Sequence, residues 1–558
     1  MVNLLVMAGR VKRFMMSLYT FMLVSAVLSS CDRDFFEQLK IEFSSVMGED
    51  GQNAKEDNGV MGDELISNSG DVEGKKNETP QTTQNQGSTI EGKSAKVYGK
   101  VTRFQVPVFE KPLLKAKQIG SLRRGGVLPV EVIMKKDSDC PEGWVYLPKG
   151  KGYACLGHGI KINDKLSEDD QDSIHAPWYD SLLPYDYGRI GKDDLPAYNR
   201  IPTAEEAKQV HSWLAQRRAI LNARLEALTK AMEEGKPVPN PYETLTMEIS
   251  GNTDEFSTQN ETGKTLVPVE EGPVPTIIPF KFVEKVLIHG FYISIGSKNL
   301  KSKGGWLKTV RGFFVPSGSI SIKSPPSTRG IELNGLQDLP VIFVKRTSVA
   351  IYMLDEKGNP KLNSGRKLSR FDSSVVLEKL DFSGAEFLKI GENEYVRKSE
   401  VTLVEKQKPP SVVKSPDQKW IDVDVSKQVL VAYQGTKAVY AALVSTGREK
   451  ENEEFKTPRG VFSILSKHVT GTMANLYASD GPYMIEDVPW TMYFLGSFAL
   501  HGAFWHNSFG SMRSHGCVNL PPFDARWIFY WSEPLMPEGW HTVYSTSDRP
   551  GTIIRIRD

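Results

Sequence analysis

The chain is poor in the groups that most often carry chemistry. Its 558 residues include four cysteines and nine histidines. Net charge is nearly absent too, because 69 basic and 68 acidic residues leave a formal +1. That balance excludes a nucleic-acid partner held by bulk electrostatics and leaves any affinity for charged surfaces to local patches. Beyond residue 31 no apolar run approaches the roughly 20 residues that a membrane-spanning helix needs. No His-Glu-x-x-His or paired-carboxylate pattern is present to hold a catalytic zinc, so neither a metal nor another cofactor is expected. What remains is 39% apolar, with 47 glycines and 33 prolines. It describes a soluble, loop-rich protein of roughly three to five domains.

The N-terminus departs from this picture. Arg10, Lys12 and Arg13 precede the apolar run FMMSLYTFMLVSAVL, the pattern of a secretory signal peptide over residues 1–30. Leu28-Ser29-Ser30-Cys31 resembles a bacterial lipobox, which implies lipidation of Cys31; a plain signal peptide ending at a cysteine is the alternative. Residues 31–96 then read as a lipid-anchored tether, polar and nearly devoid of apolar residues from Met47 on. Such a stretch cannot bury a core, and fifty or so flexible residues reach about 40 Å. The expectation is an exported protein in the periplasm or cell envelope, held to a membrane by the lipid.

Residues 97–163 alternate apolar and polar residues between Gly and Pro turns and resemble a bacterial SH3-like barrel. Weaker echoes around Gly305-Trp306-Leu307 and Glu394-Tyr395-Val396 suggest further β modules across 275–406. Between them, 164–274 reads as a helical or irregular connector with one clear helix. Thr203-Ala204-Glu205-Glu206 forms its capping box; Val210, Leu214, Leu221, Leu225, Leu228 and Met232 share a face, and Gly235 and Pro237 supply the stop. Cys140 and Cys155 flank a two-strand unit and are the candidate disulfide pair in an oxidising compartment, which leaves Cys517 as a free thiol. Residues 407–417 are a Pro/Ser/Lys linker.

From 418 to 558 the pattern becomes a continuous β domain. Trp420–Val425 and Gln428–Tyr433 alternate as a hairpin, a third strand follows over Ala438–Ser445, and a closing strand begins after Gly551. Inside it lies FALHGAFWHNSFGSMRSHGCVNL, Phe498 to Leu520. A thiol is only a few per cent thiolate near neutral pH unless a base or a positive field assists it. His515, two residues from Cys517, points parallel to it in extended backbone. His501 must sit on a neighbouring strand and can face the thiol, so it is the favoured base. Gly502 leaves a carbonyl free to hold the imidazole, and Gly516 permits a tight turn whose amides can face a developing oxyanion. A zinc set of His501, His506, His515 and Cys517 is one competing reading, and a catalytically dead wall-binding module is another.

The string HG-x11-SHGC-V-N, preceded by TPRGVF at 457–462, resembles the catalytic domain of L,D-transpeptidases, bacterial cell-wall enzymes. The resemblance covers 418–558. It implies a mainly β protein whose β-sandwich-like catalytic domain follows SH3-like modules and one long helix. In that family a cysteine attacks the amide between the third residue of a peptidoglycan stem and its terminal D-alanine, forming a thioester that a neighbouring stem's amine resolves into a 3→3 cross-link. The resemblance makes Cys517 the nucleophile, His501 the proton donor and acceptor, and Gly502 the source of an orienting carbonyl. It places His515 and Gly516 at the oxyanion site, Ser514 in the usual Ser/Thr slot and Asn519 where the family also uses Arg. Tyr493 and Trp505 belong to an aromatic rim that could receive substrate. Residues 466–489 read as a long loop unlike a short family version. Water as acceptor would give an L,D-carboxypeptidase, and an envelope protein as acceptor would give wall attachment; the partners implied are peptidoglycan, the membrane and envelope proteins.

Overall fold

The computed structural model describes residues 97–133, 136–163, 175–234, 278–296, 304–335, 337–475 and 478–558. The expected signal peptide, Cys31 and the tether lie outside these residues. The fold is mainly β, and no helix among the described residues is long and apolar enough to cross a membrane.

The first module, 97–163, is built of short antiparallel strands. Its first strand, Tyr98–Val101, pairs with both Val127–Pro129 and Ile160–Asn163, which brings the module's ends together. Alternation delivers Val101, Val106, Val108, Leu122 and Val145 to one core. Cys140 and Cys155 are bonded, with Cα atoms 5.8 Å apart, and are packed with Phe109 and Trp144. The core is completed from a distant part of the chain. Trp540, fully buried, enters this cluster. It fits because Gly120, Gly150 and Gly152 carry no side chain; a Cβ on Gly150 would lie 2.1 Å from its ring. The sheet is continuous across this contact, with Gly120 opposite Val543 and Ser121 opposite Thr542.

The stretch 164–274, expected as a connector, holds half of a second β module. Asp186–Ile190 pairs with Tyr292–Ile295 and Ile320–Lys323, and Leu195–Tyr198 pairs with Val283–Leu287 and Phe314–Pro316. The helix Ala204–Glu233 is inserted between strands of one unit, so the boundary at 275 cuts through a domain. The inserted helix breaks the short, spaced strands that mark a β module in sequence, which hides the unit. Its capping box is present: Glu206 N–H donates to Thr203 Oγ1 at 3.2 Å and Thr203 N–H to Glu206 Oε2 at 2.8 Å. Val210, Leu214 and Leu221 are buried as the periodicity requires; the expected stop at Gly235 and Pro237 lies outside the described residues. A third unit over 341–404 comprises a three-stranded and a five-stranded sheet around Ile342, Val349, Ile351, Leu388 and Val396.

The C-terminal domain stacks two sheets. In the first, Ile331–Glu332, from the segment before the third unit, edges Lys437–Leu443. Val429–Gln434, Lys419–Asp424, Ile553–Arg557 and Gly460–Ser463 follow in order. The second contains a long hairpin, Ser466–Asn475 with Tyr483–Leu495, followed by Phe498–Gly502 and Val518–Leu520. The stretch expected as a loop over 466–489 is therefore mostly strand. Leu500, Val518, Leu520, Met492 and Ile556 meet in the core between the sheets, closed by the helix Pro522–Trp531.

Candidate active site

The histidine strand Phe498–Gly502 and the cysteine strand Val518–Leu520 run parallel and adjacent. Leu500 faces Val518, His501 faces Asn519 and Gly502 faces Leu520. Leu500, Val518 and Leu520 go to the core, so the alternation of a strand sends His501, Asn519 and, two residues earlier, Cys517 to the other face. Cys517 sits at the end of the turn that enters its strand, half-buried, while His501 is 2% exposed.

The turn is held from three sides. Gly516 has φ +120°, and a Cβ there would come within 2.5 Å of the Phe498 ring, so both conformation and space require glycine. Its N–H donates to Ser514 Oγ at 3.1 Å, and its carbonyl accepts from Thr457 Oγ1 at 2.8 Å. Thr457 in turn accepts the Gly447 N–H at 2.8 Å. Ser514 Oγ donates to the Cys517 carbonyl. The Gly516 amide, expected as an oxyanion donor, is thus committed within the turn.

His501 Nδ1–H donates to the Gly502 carbonyl at 3.3 Å, the orienting contact expected of Gly502. That leaves Nε2 as the basic atom. Burial holds the imidazole neutral, down to about 4, with the Gly502 contact opposing the shift. Burial pushes the Cys517 thiol up to about 11, although the Ala499 amide favours its thiolate. The candidate base and nucleophile therefore both rest neutral. The thiol is directed at the Ser497 carbonyl, 3.7 Å away.

His515 is held at a distance from the role of base. Its Nε2 donates to Asp480 Oδ1 at 2.8 Å, and Arg448 closes the group through Asp480 Oδ2 at 2.5 Å. The ring stacks on Tyr483, with centroids 4.7 Å apart, and meets Phe455 edge-on. Burial works against ionisation of Asp480, but its bonds from His515 and Arg448 outweigh it and hold the carboxylate down to about 2. Tyr483 also lies within electrostatic reach of Cys517, whose negative form helps push the phenol up after burial itself. Trp505 stacks on His501, 5.7 Å between centroids, and its neighbour Phe504 stacks on Tyr187 of the second module at 4.0 Å. Tyr493 packs edge-on against His468 across the hairpin. Among the described residues no three His, Cys, Asp or Glu side chains form a group that could hold a metal; in the proposed zinc set, His515 is turned to Asp480 and His506 to Asn519.

Sequence reasoning missed Arg448, Asp480 and Tyr483. Asp480 and Tyr483 occupy the tip of the long hairpin, 37 and 34 residues before Cys517, and only the pairing of the hairpin strands brings them to His515. Thr457 was visible in TPRGVF, but its bond to Gly516 crosses 59 residues.

Residues 418–556 match the YkuD family model, the L,D-transpeptidase catalytic domain. The chain is 26% identical over 148 residues to a putative L,D-transpeptidase, YciB, of Bacillus subtilis, covering 24% of this chain and 73% of that protein. Among solved structures it is similar to an L,D-transpeptidase of Enterococcus faecium at 20% identity and a TM-score of 0.20. That match covers 25% of this chain and half the length of the other. A similar match to a Mycobacterium smegmatis L,D-transpeptidase has 19% identity and a TM-score of 0.20, covering 32% of this chain and 80% of that one. By the family match, residues 418–556 form a YkuD-type L,D-transpeptidase catalytic domain.

Proposed function

We propose, from a YkuD-type catalytic domain at 418–556, that the protein is a cysteine-dependent L,D-transpeptidase acting on peptidoglycan stem tetrapeptides. The observation that carries this reading is the placement of His501 on one strand and of Cys517 in the turn that enters the adjacent parallel strand, on one face by strand alternation, with His501 Nδ1 tied to Gly502. In the first half-reaction His501 Nε2 takes the thiol proton as sulfur adds to the carbonyl carbon between the third stem residue and D-alanine. The C–N bond breaks, His501 returns the proton to the leaving amine, and a thioester remains. With the Gly516 amide committed to Ser514, we assign the oxyanion to the Cys517 N–H. In the second half-reaction a neighbouring stem's side-chain amine attacks the thioester, His501 takes its proton, and the thiol is regenerated with a 3→3 cross-link formed.

We assign this chemistry to the cell envelope. The apolar segment before Cys31 directs export, the lipid on Cys31 anchors the chain, and the upstream β modules contact wall polymer. The test is product analysis with purified tetrapeptide muropeptides. The wild type should release D-alanine and yield dimers joined 3→3, and Cys517→Ala should yield neither. Free tripeptide as the sole product would identify water as the acceptor and overturn the transpeptidase assignment. Dimers from Cys517→Ala would overturn the mechanism. His501→Asn should slow acylation by about 100-fold or more, the range over which a general base acts.

A further inference from the structure

The second module reaches the catalytic residues through one face of its sheet. Ile190, Ile293 and Ile295 turn into that module's own core, so alternation places Tyr187, Arg189 and Tyr292 on the opposite face. That face packs on the segment following His501. Tyr187 stacks on Phe504 with ring centroids 4.0 Å apart, and Tyr292 meets Phe504 edge-on at 5.7 Å and Trp505 at 6.4 Å. Trp505 lies against His501, 5.7 Å between centroids. Two ring spacings therefore separate Tyr292 from the candidate base.

Two cations gather at this tyrosine. Arg189 stands directly opposite Tyr292 in register, which sets their side chains next to each other, and its guanidinium donates to the phenol oxygen. Arg513, four residues before Cys517, lies within electrostatic reach of both Tyr292 and His506. Burial pushes the Tyr292 phenol up, and the charges of both arginines oppose the shift. Neither guanidinium has a carboxylate partner among the described residues, whereas Arg123, Arg311 and Arg448 are all ion-paired. Arg513 is exposed, and Arg189, Tyr292 and Trp505 are each partly exposed. Two like charges gathered at one phenol without a counter-ion repel each other until an anion bridges them.

We propose that Arg189, Tyr292 and Arg513 form a carboxylate-binding shelf beside the acyl-transfer site, which holds a free carboxylate of the donor stem peptide. The shelf makes the second module part of the substrate site, since Arg189 and Tyr292 come from it and Arg513 from the segment leading to Cys517. An extended peptide spans about 3.3–3.6 Å per residue, so a four-residue stem is long enough to cover the two ring spacings from His501 to Tyr292. A guanidinium meets a carboxylate through two parallel N–H···O bonds, which a carboxamide cannot accept. The proposal rests on the acyl-transfer reading above for its ligand, and on the sheet register and ring contacts for the shelf itself.

Binding to full-length Cys517→Ala, in which no acyl transfer intervenes, is the test. Calorimetry compares a tetrapeptide muropeptide with analogues whose carboxylates are amidated one at a time. One analogue should bind about tenfold or more weakly than the free peptide, the size of one charge-assisted hydrogen bond, and it identifies the carboxylate held. Arg189→Gln and Arg513→Gln, each added to Cys517→Ala, should weaken the free peptide about threefold or more and leave that analogue within about twofold. Arg513 is exposed, so its replacement decides the matter if Arg189→Gln fails to fold. Equal binding of all the peptides, binding of none, or a preference that survives the arginine replacements would overturn the proposal. Single-turnover acylation of the wild type separates this outcome from the reading beneath it. Equal acylation by the free and amidated donors would overturn the shelf alone. A protein that shows the binding preference and takes no acyl group would support the shelf and contradict the acyl-transfer reading.

Discussion

At the residue scale the proposed chemistry depends on two groups that rest neutral. The buried imidazole of His501 stays unprotonated down to about pH 4, and the Cys517 thiol stays protonated up to about 11. Lowering the pH through about 4 protonates His501 and removes the base, so acylation falls there. Raising it toward neutrality adds no further base and hardly any thiolate. Single-turnover acylation should therefore rise through about pH 4 and then run level across neutral pH. An inflection near pH 7 would instead mean that the pair rests as thiolate and imidazolium. Cys517, His501, Gly502, Gly516 and Asn519 were legible in sequence because they lie within nineteen residues, where strand alternation and a glycine turn suffice to relate them. Asp480, Tyr483 and Arg448 were not, because their relation to His515 depends on contacts across 32 to 67 residues.

At the element scale the long hairpin connects the site to the rest of the chain. Its tip carries Asp480 and Tyr483, while its stem carries Asp487, buried and ion-paired to Arg123 of the first module at 2.8 Å. Ser294 of the second module donates to the same carboxylate at 2.6 Å, and Thr470 to it at 2.9 Å. Burial raises the cost of that charge, but the two arginines Arg123 and Arg311 and these hydroxyls outweigh it and hold Asp487 down to about 2. Beside it Glu486 takes Lys285 at 3.2 Å and Arg311 at 3.3 Å. Removing one partner of a buried pair leaves the other charge uncompensated, at about 3–5 kcal/mol. Arg123→Met should lower the denaturant midpoint accordingly, and adding Asp487→Asn should recover part of the loss. An unchanged midpoint would mean the hairpin stem is held by packing alone. The hairpin read as a loop because its strands mix Lys, His, Thr, Glu and Asp with apolar residues. Glu486 and Asp487 face other modules, and Lys467 and His468 are buried within their own domain, so the usual alternation is masked.

At the scale of the whole molecule the modules are not beads on a string. One sheet path runs from the second module through the hairpin and Thr542–Tyr544 into the first module, and Trp540 of the catalytic domain sits in the first module's core. Trp540→Ala should cost about 3–5 kcal/mol and be felt in the melting of both units together; separate transitions, only one of them shifted, would contradict shared cores. The mainly β class of fold was legible from alternation, whereas the split second module was hidden by the helix inserted into it. The central claim is that this assembly presents Cys517 for acyl transfer from a stem peptide. Intact-mass analysis of the full-length protein mixed with a tetrapeptide muropeptide tests it most directly. The account predicts an adduct with the mass of the donor less D-alanine, mapped to Cys517 and absent from Cys517→Ala. D-alanine released equally by Cys517→Ala, or an adduct on any other residue, would contradict it.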